Sequence, residues 1–227
     1  MRRHWPWLLL LALNALFLWA PWGTYQAVVV HHTASSVGDA ASIRRAHWQR
    51  GWAEVAYHAV LANGSTAVPR GHLEPTWRYR LGLWSVATRS PRFNVGALHL
   101  VVVGNYEDAP MPEDLQRALG HALREIIARH RIADDAILLH RDCSATACPG
   151  RFVDRGRLVA WTRRGDEAPA TVRAQHARAL ASPHLPPLWY CVAWLLANLG
   201  ALALSRRRSC ASLTESSNDA AMGLAGE

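Results

Sequence analysis

The chain has no lysine; all 25 of its Lys and Arg positions are arginine, a bias that speaks of genome composition more than of function. Cysteine is scarce too. Four residues, two of them (Cys191 and Cys210) in the C-terminal portion, are too few for a disulfide scaffold. Acidic residues do not balance the arginines, and the formal net charge is +8 with a pI near 10.1. A basic domain of this kind is drawn to anionic membranes, cell-wall polymers or nucleic acid. No basic stripe interleaved with aromatics is present, which removes nucleic acid as a partner.

Long apolar runs occur at both ends. Trp5 to Trp22 is apolar except for Asn14, and at ~1.5 Å per residue it spans roughly 27 Å, close to a bilayer core. The tripeptide Leu18-Trp19-Ala20 lacks the small residue expected at the earlier cleavage-site position. Residues 1–25 therefore read as an uncleaved signal anchor rather than a cleaved signal peptide, with Arg2 and Arg3 holding the N-terminus in the cytoplasm. Leu188 to Leu204 has Asn198 as its only strongly polar member and runs into Arg206, Arg207 and Arg208. That is a stop-transfer pattern, giving a second transmembrane helix over 188–205 and a disordered cytoplasmic tail over 206–227. A hydrophobic helix buried in the globule is the competing reading of this run. Both anchors place the intervening domain outside the cytoplasmic membrane.

Between them, residues 26–163 alternate strand and helix signals. Gln26 to Val30 reads as a buried strand. Ser42 caps a helix to about Arg50, where Gly51 stops it. Trp52 to Ala62 enters a strand, Asn63-Gly64 turns, and Ser65 to Val68 returns as its hairpin partner. Arg70 to Pro91 has no assignable pattern; its Trp77, Tyr79 and Trp84 suit a ligand loop, a membrane contact or a cap on the core. Leu98 to Val103 is the strongest central strand. Pro112, Glu113 and Asp114 open a helix with Leu115, Leu119, Leu123, Ile126 and Ile127 on one face, to about Arg129. Ile137 to Leu139 is a further strand, and Phe152 to Trp161 a closing helix. About 140 residues suffice for a core, and the alternation predicts an α/β class with a mixed central sheet flanked by helices. Residues 164–187, rich in Ala, Arg and Pro, read as a partly helical linker.

Two strands end in histidine. AVVVHHT over Ala27 to Thr33 offers His31, and ILLHRDCSATACPG over Ile137 to Gly150 offers His140 and, eight residues on, Cys148. Imidazole and thiolate suit Zn²⁺, and three protein ligands leave a fourth position for water, as in catalytic zinc sites. Against this stand histidines that merely hydrogen-bond at strand ends, and a small Cys143–Cys148 disulfide.

In chain order, VHHTAS (Val30 to Ser35), GWAEVAYHAVLANGS (Gly51 to Ser65), the interval closing in Val-Gly-Asn at Asn105, and HRDCSATACPG (His140 to Gly150) resemble the type 2 N-acetylmuramoyl-L-alanine amidases. That family shares its fold with peptidoglycan recognition proteins and phage lysozyme-amidases. The resemblance covers about residues 27–153. It implies zinc held by His31, His140 and Cys148 and hydrolysis of the amide between N-acetylmuramic acid and L-alanine. It also implies peptidoglycan or muropeptide as partner, on the outer side of a bacterial inner membrane. Tyr57 becomes the candidate donor to the oxyanion or the water, and Thr146, where some relatives carry Lys, a candidate hydrogen-bond donor. His32 lines the cleft, orients His31, or is structural.

Departures from the family pattern bear on mechanism. Val101 stands where bacterial relatives often carry a catalytic Glu, which leaves the general base open, and His99 replaces a usual Gly. The Arg70 to Pro91 stretch lacks the typical Gly-Ala-His segment, and the paired Cys of animal recognition proteins are absent. A non-catalytic muropeptide-binding module is the alternative function; recognition-only relatives typically lose the Cys ligand, which Cys148 supplies here. A membrane scaffold with a closed zinc site, Cys143 as fourth ligand, is the more distant one.

Overall fold

A computed structural model describes residues 24–181, Asn14 and residues 195–200. The chain divides into two units: Pro21–Leu185 carries the fold, and the terminal segments, with Asn14 and 195–200 helical, form the other. Among the described residues no helix is long and apolar enough to cross a membrane. Apart from Asn14 and 195–200, the two apolar runs and the tail expected to be cytoplasmic, 206–227, lie outside the described residues.

Five strands form one sheet in the order β3-β2-β4-β1-β5, with β1 Ala27–His32, β2 Ala59–Leu61, β3 Leu73–Pro75, β4 Ala97–Val102 and β5 Ile137–Leu139. β1 runs parallel to β4 and β5, β2 parallel to β4, and only β3 is antiparallel. The sheet is mixed and helix-flanked, as the alternation implies. β1 and β4 are buried along their whole length because both faces are covered, and both read as near-continuous apolar runs.

Strand alternation sorts the side chains onto two faces. Val28, Val30, Leu98, Leu100 and Leu61 pack against Leu115, Leu119, Leu123 and Ile126 of helix α4, Glu113–His130. Burying four such side chains contributes roughly 6–12 kcal/mol of transfer free energy. Helix α6, Arg155–Arg163, lies across α4 at Gly120, where an added Cβ would stand 1.9 Å from the Trp161 carbonyl oxygen. The opposite face carries Val60, Val101, Val103 and Val55 against Ile43 of helix α1, Ala40–Gln49. His31 and His99 share this second face by parity.

Several expectations shift. Asp39, not Ser42, caps α1: its carboxylate accepts from Ser42 N at 2.7 Å, and the Ser42 hydroxyl answers Asp39 N at 2.8 Å. Ser65 to Val68 is not a strand. Asn63 Oδ1 accepts from Ser65 N at 3.0 Å, and Gly64 turns at φ +77, so the hairpin carries a longer loop and β2 pairs with Leu73–Pro75. Part of the unassigned stretch is helical, with α2 at Trp77–Arg80 and α3 at Pro91–Gly96. Phe152 precedes the closing helix, whose first turn is capped by Asp154.

The composition of residues 164–187 suggests a linker, yet a 3₁₀ turn at Gly165–Glu167 and helix α7, Ala170–Leu180, fold onto the domain. His176 and Leu180 are fully buried, and the Tyr79 hydroxyl donates to Leu180 O at 3.0 Å. Gln175 pairs with β3 through both amide atoms, accepting from Leu73 N at 2.9 Å and donating to Leu73 O at 2.8 Å.

Candidate metal centre

The parallel register of β1 and β5 sets Val30 beside Leu139, which brings the residues that follow them, His31 and His140, side by side. Their ring centroids are 4.4 Å apart. After His140 the chain turns into helix α5, His140–Cys143, whose start is held by Leu139 N donating to the Asp142 carboxylate at 2.8 Å. Arg141 then fastens the loop that brings Cys148 back. Its N–H donates to Cys148 O at 3.0 Å, and its guanidinium reaches the carbonyls of Gly150 and Val153. Gly150, at φ +100, lets the loop press on the segment after β4; a Cβ there would lie 2.3 Å from the Tyr106 carbonyl carbon.

One ligand atom each from His31, His140 and Cys148 lies within 4.8 Å of the others. Cys148 Sγ is 3.9 Å from His31 Nδ1. Tetrahedral zinc with ordinary Zn–N and Zn–S lengths separates such a pair by about 3.6 Å, so the donor set fits the ion in kind and in size. His31 is 1 % exposed, and burial, then the neighbouring His99, His140, His32 and His58, hold its pKa well below the usual imidazole value. Burial, then His32, lowers that of His140 as well. Both rings are neutral and able to coordinate. The Cys148 thiol is pushed up to about 11 by burial, against which the His32 N–H, 3.4 Å from the sulfur, and Arg141 work in the other direction. A cation between the three groups favours the thiolate, so metal uptake at neutral pH releases a proton.

Tyr57 stands at this centre, its ring 5.0 Å from that of His31. Burial foremost, then Cys148, raises its pKa to about 12, which keeps a proton on the hydroxyl. No described residue takes that hydroxyl in a hydrogen bond. Thr146 is exposed, and its oxygen accepts from Cys148 N at 3.2 Å, so it shapes the ligand loop. His32 turns aside, its Nδ1 accepting from Tyr106 N at 3.1 Å. Cys143 and Cys148 are both free, so the small disulfide is not formed. Cys143 packs by Ala27 and Val29 and is not among the three converging groups.

A residue without an assigned role completes the surroundings. His99 Nδ1 is 2.9 Å from His31 Nε2. The alternation of ALHLVV, which sets His99 on the face of His31, is the signal that would have found it.

The family profile described as N-acetylmuramoyl-L-alanine amidase matches residues 21–151, more than half of the chain, including His31, His140 and Cys148. The chain belongs to this amidase family. Among curated relatives of this amidase domain, a peptidoglycan-recognition protein of Drosophila simulans is 23 % identical over 145 residues, 60 % of this chain and 74 % of that protein. Among solved structures, N-acetylmuramoyl-L-alanine amidase LysC from Clostridium intestinale is 22 % identical, covering 63 % of this chain and 88 % of the other, with a TM-score of 0.49. Wild-type Drosophila PGRP-LB is 19 % identical, covering 61 % and 79 %, with a TM-score of 0.46.

Proposed function

We propose that the chain is a zinc-dependent N-acetylmuramoyl-L-alanine amidase that hydrolyses the amide between N-acetylmuramic acid and L-alanine of peptidoglycan. The observation that carries this reading is the convergence of two neutral imidazoles and a thiol inside a domain of the amidase family. Zinc, when bound, supplies Lewis-acid chemistry that acidifies water and polarises a carbonyl. His31 and His140 hold the ion through bare ring nitrogens, and Cys148 does so as thiolate. The His32 N–H donates to the sulfur and helps it carry negative charge. Tyr57, beside His31 and protonated across the working pH range, donates its hydroxyl proton toward the substrate carbonyl oxygen, where charge develops. Thr146 keeps Cys148 in place rather than touching substrate.

In the same reading the apolar runs Trp5 to Trp22 and Leu188 to Leu204 tether the domain to the outer side of a bacterial inner membrane. The hydrogen bond between Asn14 Nδ2 and Asn198 Oδ1, 3.3 Å, suits this reading, since a polar side chain in hydrocarbon needs a partner. Recovery of the full chain in the soluble extracytoplasmic fraction would refute the tether.

The catalytic reading is tested with the full chain in detergent, assayed for zinc and incubated with peptidoglycan, its products read by mass spectrometry. The expected products are stem peptides with a free L-alanine N-terminus, released by wild type and not by Cys148→Ala. Tyr57→Phe should retain zinc while kcat falls by about 10²–10³. Zinc and peptidoglycan bound without cleavage would establish a recognition module instead.

A further inference from the structure

We propose that His99 is a positioning residue for the metal: it fixes the tautomer and the ring orientation of His31 through a relay of neutral imidazoles that ends on a backbone carbonyl. The proposal rests on the zinc reading of the site and adds a residue to it.

The relay is dictated from its far end. His99 Nε2 lies 3.0 Å from Phe93 O, and a carbonyl oxygen only accepts. His99 therefore carries its proton on Nε2, and its Nδ1 is a bare lone pair. That lone pair faces His31 Nε2 at 2.9 Å, so His31 must be the donor there. A neutral His31 with its proton on Nε2 has a bare Nδ1, the atom 3.9 Å from Cys148 Sγ. Phe93 O thus decides, through two rings, which nitrogen of His31 is free for a metal. A ligating imidazole whose other N–H is held by a fixed acceptor is both oriented and made more basic.

The acceptor is itself held. His99 is 0 % exposed, and its backbone N–H donates to His58 Nδ1 at 2.9 Å. His58, also 0 % exposed, meets Leu83 O through Nε2 at 2.8 Å, again a donation to a carbonyl. Phe93 belongs to α3, which leads directly into β4, so the relay closes within one short stretch of chain. Three buried rings in a row would otherwise be a costly choice for a sheet face, because each must find partners. Here every named partner agrees on one set of tautomers.

The test uses the full chain in detergent. Zinc affinity is measured by competition with a chromophoric chelator for wild type, His99→Leu and His99→Asn. Leucine fills the space without an acceptor, whereas the asparagine amide oxygen stands near the lost Nδ1. His99→Leu should bind zinc about 10–100-fold more weakly, and His99→Asn should recover most of the loss. In the Co²⁺-substituted wild type, proton NMR should show a ligand imidazole N–H that resists exchange with deuterium, and that signal should exchange rapidly in His99→Leu. Zinc affinity indifferent to both substitutions overturns the proposal, as does weakening that His99→Asn does not relieve. If His99→Leu fails to fold, the wild-type signal decides, and rapid exchange there overturns the relay. A wild-type chain that takes up neither zinc nor cobalt overturns the metal reading and this proposal with it; normal uptake indifferent to His99 overturns this proposal alone.

Discussion

Two buried histidine pairs in this domain share one construction and end differently. His31–His99 terminates on the Phe93 carbonyl; His121–His176, with Nδ1 atoms 3.0 Å apart, terminates on the Gly71 carbonyl, 2.7 Å from His176 Nε2. By the same tautomer logic His121 donates from Nδ1, and its Nε2 is left bare. That nitrogen faces Glu125 Oε1 at 3.9 Å, whereas the open nitrogen of His31 faces Cys148 and His140. A lone pair opposite a thiol and a second imidazole invites a metal; a lone pair opposite a carboxylate invites a proton. The second pair joins α4 to α7 and is structural. A buried histidine pair is therefore no sign of a metal site until its outward nitrogen is known.

The strongest way to break this contrast is to remove the outer ring of each pair. His31→Ala should abolish stoichiometric zinc and reduce amidase turnover below detection. His121→Ala should keep one zinc per chain while the melting temperature drops by several degrees, since an unsatisfied buried imidazole costs about 1–3 kcal/mol. Zinc loss in His121→Ala would dissolve the distinction.

Acid titration gives a smaller effect. Burial, partly countered by the Gly71 carbonyl, lowers His176 to about 4; burial, partly countered by Glu125, lowers His121. His72 and His121 on one side, and Arg173, Arg124 and Asp166 on the other, complete the charged surroundings. The unfolded chain takes up these protons near the ordinary value of 6.5, while the fold resists them. Stability from the pair is therefore complete above about pH 6.5 and declines as pH falls toward about 4. The metal-free double variant His121→Phe/His176→Leu should lose less melting temperature between pH 7 and 5 than metal-free wild type; equal slopes would show that the pair does not titrate on unfolding. Glu125→Gln should give the smallest change. Without that partly exposed carboxylate the folded His121 resists its proton further, so the acid midpoint of unfolding should rise by a few tenths of a pH unit, readable as a displaced stability–pH curve.

How much of this was legible in the sequence varies with how local the cause is. The α4 face, Leu115 through Ile127, is read from period alone, and β1, β4 and β5 from their apolar runs, because burial leaves these strands mostly apolar. The convergence of His31, His140 and Cys148, the candidate ligands, was legible because two strand ends and one loop carry them. Ser65 to Val68 misled because the turn chemistry of Asn63-Gly64 is genuine, yet the chain needs eight more residues before Leu73 finds β2. Residues 170–180 misled because their helix has only a weak apolar stripe. What docks it is Gln175, His176 and Leu180 meeting β3, Gly71 and Tyr79, partners about 100 positions away. His99 stood out only as a departure from the family pattern, without a role, for a related reason: its meaning lies in a cross-strand neighbour, not in its own segment.

The Gln175 contact has a bearing on crowding. Residues 73 and 75 of β3 point their backbone groups away from β2, toward open solvent or a newcomer strand. Leu73 has both groups occupied by one side-chain amide, and Pro75 has no N–H to offer. The short antiparallel margin of the sheet is thereby withheld from edge-to-edge addition. Copies of this domain packed closely together find no template there on which to polymerise.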